Sequence, residues 1–339
     1  MEERRSPGRM SRRKKKNSAG RAVIVVLCIL LIGACAVLMF KDQKRDFRHG
    51  VYRCKDGRLM EEPAVPDQEI IDGVREGTEL LAKAHPEIRQ YMMLVPSAAC
   101  IQSEYLPENA GKVRDQAQDL AQIQSVLQQN LEWVDLISLF NDHKGEKLFY
   151  ATAPYLTGWG SRYAAKAAVG AMGAEFPKSR ETCYLLSDTY QGNLASDRTL
   201  MQKYGEHPGE RLEIYVPEDE PAYYRIDEAS GVWYGTLYDS SSLDSEDPFN
   251  VFFGGDRPLT EIYSAAINGE TLLVIGDRTA NSIVPLFVSS FEKIILVHPS
   301  ESTRSLMSLA EKYQPTKILY LYGANTFMKD RSLLRIASQ

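Results

Sequence analysis

Three apolar runs in the C-terminal quarter of the chain constrain its fold most: TLLVIGD (271–277), KIILVHP (293–299) and KILYLYG (317–323). Each is a short, nearly continuous apolar stretch that ends in a turn signal, which is how a strand buried on both faces reads. The intervals 282–290 and 303–312 carry helical spacing. Strands alternating with helices imply a parallel sheet covered on both sides. The expected fold is α/β, a three-layer α/β/α sandwich.

The upstream sequence adds pieces of the same kind. GVYRCKDGRL (50–59) has the aromatic and glycine content of a hairpin. Residues 66–84 place Ile70, Ile71, Val74, Leu80 and Leu81 at helical spacings, and QYMMLVPSA (90–98) reads as a buried strand leaving through Pro96. A second long helix is expected over 111–131, short strands or strand entries at VDLISLF and KLFYATA, and a small-residue helix over 159–172. From 182 to 259 the pattern changes to short pieces such as RLEIYV, VWYGTLYD and FNVFFGG, a β-rich insertion.

The first 21 residues hold nine basic and two acidic side chains, and an uninterrupted apolar run follows from 22 to 40. As a helix that run is about 28 Å long, close to a bilayer core. The positive flank stays inside, so 1–21 reads as a cytoplasmic tail, 22–40 as a single-pass anchor, 41–49 as a stalk and 50–339 as an extracytoplasmic domain. A cleaved signal, or a lipoprotein box ending at Cys35, is the alternative; the apolar residues continuing to Phe40 argue against both. The whole chain carries −5, so the part beyond the tail carries about −12. A domain that acidic is a poor binder of nucleic acid. Cys54, Cys100 and Cys183 leave disulfide pairing open, and their spacing matches no common zinc pattern.

Ligands of such sheets gather at the carboxyl ends of the strands. LLVIGDRTANS (272–282) runs a strand into a turn there, beside backbone amides suited to an oxyanion. The second notable stretch is TAPYLTGWGSRYAAKAA (152–168). Together they resemble the DHHW family of bacterial cell-surface proteins, related to the alginate O-acetylation proteins, whose box reads roughly YYRTDHHWTSLGAYYAY. Phe149, Tyr150, Thr152, Thr157, Gly160, Tyr163 and Ala164 match its frame, while the four defining positions hold Ala153, Pro154, Tyr155 and Leu156. The family turn reads close to KDSYANSFVP. Here Ala280, Asn281, Ser282, Val284 and Pro285 agree, and Arg278 stands at the serine. YMMLVPSAACIQSEYLP (91–107) is also similar to a family segment, and Asp256 stands where a GGN-type turn has asparagine.

The resemblance implies an SGNH-hydrolase-like fold in which an aspartate orients a histidine, the histidine activates a serine, and an acetyl group moves to a sugar. Alanine at 153 has no titratable group, tyrosine at 155 is a poor base near neutral pH, and arginine at 278 cannot attack an acyl donor. The expectation is therefore a pseudoenzyme, with Ala153, Tyr155 and Arg278 as degenerate positions and no catalytic residue. Rewired hydroxyls at Thr279 or Ser282, with His298 nearby, form the active alternative; a ligand-free envelope protein is the other. Tyr155, Trp159, Asp256, Asp277 and Arg278 are the binding candidates, with Arg278 gripping an acidic sugar. No cofactor and no metal are expected. The implied partners are a membrane-bound O-acyltransferase and a cell-envelope glycan.

Overall fold

The computed structural model describes residues 47–48, 50–195, 201–202 and 207–338. The expected tail, the apolar span 22–40 and most of the stalk lie outside them. Among the described residues no helix is long and apolar enough to cross a membrane.

The domain opens on a small antiparallel sheet of β1 (Phe47–Arg48), β2 (Val51–Arg53) and β3 (Leu59–Glu61). Next come β4 (Arg89–Val95), β5 (Glu132–Trp133), and β6 (Glu181–Tyr190) with β7 (Glu210–Pro217), which pair only with each other. The remaining strands are β8 (Tyr223–Asp227), β9 (Val232–Tyr234), β10 (Leu259–Ser264), β11 (Thr271–Gly276), β12 (Lys293–Val297) and β13 (Lys317–Gly323). Eight strands form the main sheet in the order β5-β4-β13-β11-β12-β10-β8-β9. Pairs from β5 to β12 are parallel, as the alternating pattern requires. Beyond β12 the sheet is antiparallel, so the wholly parallel expectation is corrected for that half. Within 182–259, β8 and β9 extend the main sheet, and only the β6–β7 hairpin stands as a separate one.

Side chains along each parallel strand alternate between two cores. Met93, Val274, Leu296 and Leu321 pack on one face against α3 (Gly158–Ala171), while Met92, Ile275, Ile295 and Tyr320 pack on the other. That second core is closed by α1 (Gln68–Ala84), α2 (Gln116–Leu127), α4 (Leu306–Tyr313) and α5 (Arg331–Ala337). Asp67 and Asp115 cap the first two of these helices by accepting from backbone N–H groups, which shortens the expected 111–131 helix to 116–127.

Three local expectations are corrected. VDLISLF contains a helix, Leu136–Asp142, because Asp135 accepts from the N–H groups of Ile137 and Ser138 at 2.9 and 3.2 Å. KLFYATA forms no strand and contributes one bridge, Phe149 to Leu156. The helix expected over 282–290 is instead a pair of 3-10 turns, Arg278–Ser282 and Val284–Phe287, where Pro285 has no N–H to continue a helical ladder. Cys54, Cys100 and Cys183 are free thiols, and burial pushes the first two up to about 12.

Candidate functional site

The parallel strands β4, β11, β12 and β13 end on one edge, and the residues just past those ends line a cleft of about 500 Å³. Pro154, Tyr155, Asn193 and Asp256 enter from the side. The cleft thus lies where an α/β sheet presents its loops.

Asp277 follows β11 and caps the 3-10 turn by accepting from the N–H of Thr279 at 3.0 Å. Gly323 N–H donates to the same carboxylate, as do the hydroxyls of Thr326 and Thr279. Burial outweighs these donors and raises Asp277 to about 6.

Arg278 is the first residue of the turn, and its guanidinium folds back onto the rim. Nη2 donates to Asp247 Oδ2 at 2.5 Å and to Asn250 Oδ1 at 2.9 Å, and Nη1 lies 3.7 Å from Asp256. The same group lies 5.5 Å from the Phe249 ring and 5.9 Å from the Tyr155 ring, which stack on each other at 4.3 Å. The charge of Arg278, expected to grip an acidic sugar, is thus matched within the protein by Asp247. Burial pushes the Tyr155 phenol upward, opposed by Arg278, so it is no base near neutral pH.

Asp256 reaches the site because three successive residues, Phe253, Gly254 and Gly255, have φ of 61°, 72° and 95° and reverse the chain. Only glycine takes such angles without strain, which explains two of the three positions. Asn281 Nδ2 donates to Asp256 at 2.7 Å, and Asn281 Oδ1 faces His298 Nε2 at 2.9 Å. His298 Nδ1 sits against the backbone of Arg257. Only 1% exposed and shifted down by burial, His298 is a neutral strut behind the cleft. Among the described residues no histidine lines the cleft itself.

The loop before α3 explains the other positions. Thr152 is fully buried and donates its hydroxyl proton to Glu210 at 2.7 Å, and the N–H groups of Ala151 and Thr152 donate to the same carboxylate at 3.0 Å. Thr157 caps α3 by accepting from Gly160 N–H at 3.2 Å. A side chain at Gly160 would put Cβ 2.2 Å from the Leu148 carbonyl oxygen. Ala153 is buried in the core. Trp159 does not join the cleft: it donates to Glu146 and packs beside Tyr163 and Tyr215. Ser282 is also out of reach, buried and bonded to Ser161 at 2.9 Å. Among the described residues no group of three or more His, Cys, Asp or Glu converges as a metal site.

Of the five binding candidates, Tyr155, Asp256, Asp277 and Arg278 meet at the cleft. Asp247, Phe249, Asn250 and Glu210 are the residues that sequence reasoning missed. Asp247 before Pro248 carries a local capping signal for the turn Pro248–Val251, which is real, yet nothing local announces its second bond to Arg278.

The 277–282 turn and the 149–160 loop thus border one cleft at the strand ends of an α/β sheet. The DHHW protein family matches residues 77–297, and the chain belongs to it. A DHHW family protein from Eubacterium siraeum has a similar fold, with a TM-score of 0.70 at 18% identity, covering 83% of this chain and 92% of that one. Bacillus cereus PatB1, solved with a sulfonyl adduct, gives 0.67 at 17% identity, covering 84% and 97%. The O-acetyltransferase domain of Pseudomonas putida AlgJ gives 0.50 at 16% identity, covering 84% and 94%. No curated protein sequence matches the chain.

Proposed function

We propose that this is a membrane-anchored, extracytoplasmic member of the family that has given up acyl transfer and holds a cell-envelope glycan in support of its O-acetylation. One observation carries the reading: the position that resembles the nucleophile is Arg278, tied to Asp247 and Asn250, in a cleft that no histidine among the described residues lines. A serine-type mechanism needs a hydroxyl beside a base, and a base held by a third group. The cleft remains open at about 500 Å³, within the usual range for small-ligand sites, and keeps the tyrosine ring and hydroxyls suited to a sugar. The relation to PatB1 and AlgJ supports the polysaccharide setting, and the apolar segment 22–40 supports the anchor. A membrane-bound O-acyltransferase is the partner proposed.

The purified full-length chain should release no acetate from a chromogenic ester and should resist labelling by a serine-directed sulfonyl fluoride. An envelope glycan should perturb Tyr155 fluorescence or NMR signals in the same preparation. Protease added outside intact cells should digest the domain, and in-cell crosslinking should recover the acyltransferase.

One arrangement favours the active alternative, the Thr279 hydroxyl bonded to the raised Asp277 carboxylate. Turnover lost in Thr279→Val would establish that reading and end the first.

A further inference from the structure

A second cleft of about 730 Å³ adjoins the first, and Glu61, Asn325 and Lys329 line both. Asn325 is the floor where they meet. Its Nδ2 donates to Glu61 Oε2 at 3.1 Å and to the Glu62 carbonyl at 3.0 Å, and its Oδ1 accepts from Ala64 N–H and Gln116 Nε2 at 2.9 and 2.8 Å. With those bonds made, Asn325 fixes the shape of the waist and leaves recognition to the walls.

The walls of both clefts carry more acidic than basic side chains. Glu61, Asp256, Asp277 and Asp330 face Arg278 and Lys329 in the first cleft. In the second, Glu61, Glu62, Asp115 and Asp119 face Lys112, Arg114 and Lys329. Both arginines are already spent, Arg278 on Asp247, and Arg114 on Asp119 through two bonds of 2.5 and 2.7 Å. With Asp119 neutralised by its arginine, Glu61, Glu62, Asp115, Asp256, Asp277 and Asp330 still outnumber Lys112 and Lys329 along the two clefts. The domain beyond the basic tail is acidic too, so long-range and local fields agree in sign.

We propose that the two clefts form one groove for an extended glycan that carries free amino groups, an amino-sugar polymer with ammonium groups unmasked, rather than an acidic polysaccharide. The inference rests on the glycan-holding reading above and adds its length and charge. The groove length comes from the shared waist, and the selectivity from carboxylates at Glu61 and Glu62 meeting ammonium groups.

The test is calorimetry of the full-length chain with three oligosaccharides of equal length, built from glucosamine, N-acetylglucosamine and a uronic acid. The glucosamine oligomer should bind about tenfold more tightly than its N-acetylated form, with the advantage shrinking in high salt, and the uronate should bind least. Glu61→Gln with Glu62→Gln should remove most of that preference, while Lys329→Glu, at an exposed site, should increase it. Tightest binding by the uronate, or equal binding of the two amino-sugar oligomers, would overturn the charge assignment and leave glycan holding intact. Silence from all three would overturn both.

Discussion

The loop 149–160 and the turn 277–282 border the same cleft but are held by opposite means. The loop is fastened from inside, where Thr152, Thr157 and Gly160 are packed into the protein and bonded to backbone atoms or to the buried Glu210. Arg278 is fastened from the rim, one-fifth exposed, by side chains of Asp247 and Asn250. The two sets of contacts share almost no atoms. A protein built this way can keep its frame while the residues facing the cleft change, which is why a retained frame speaks for fold and not for chemistry.

Four measurements test that contrast. Gly160→Ala should have the largest effect, about 3 kcal/mol of stability by urea unfolding, because the new methyl meets the Leu148 carbonyl and neither can retreat. Glu210→Ala should follow at about 2 kcal/mol, since it leaves three donors from Ala151 and Thr152 without their acceptor. Arg278→Ala should cost only about 1 kcal/mol, the range of a partly exposed ion pair with a ring contact, and should leave the fold's circular dichroism unchanged. A cost as large as that of Gly160→Ala would erase the distinction between frame and occupant.

The smallest effect is a matter of pH. Asp277 is raised from 3.8 to about 6, so its folded form holds the proton more tightly than its unfolded form. Its contribution to stability is present in full below about pH 4 and is lost as pH rises through 6. The carboxyl carbon should titrate near pH 6 by NMR, and Asp277→Asn should flatten the slope of stability against pH between 4 and 6. A midpoint near 4 would mean that water reaches the carboxylate freely.

The parallel half of the sheet was legible because β4, β11, β12 and β13 are apolar on both faces and end in turn residues. The antiparallel half was harder to read: VWYGTLYD covers the three-residue edge strand β9, but β8 and β10, with their mixed burial, stood out as no separate strands. VDLISLF misled because apolar content alone does not separate a short helix from a strand; the cap at Asp135 was the better signal. At the site, positions 155, 256 and 278 meet at the cleft, while Ala153 lies behind it in the core. Trp159 and Tyr155 are only four residues apart, but the chain enters α3 between them and turns the indole away. The pairing of Arg278 with Asp247 spans 31 residues and depends on how an irregular loop returns, which no local pattern encodes.

On a topology diagram the β6–β7 hairpin looks like a removable module, a ribbon joined to nothing else in the sheet. Glu210, the first residue of β7, makes it anything but removable. Its carboxylate accepts from both the Ala151 and Thr152 amides, and a side chain at Gly158 would strike the Glu213 carbonyl three residues further along the ribbon. Trimming the ribbon to obtain a smaller protein would therefore unlatch the loop that carries Tyr155, and the cleft would lose a wall together with its ornament.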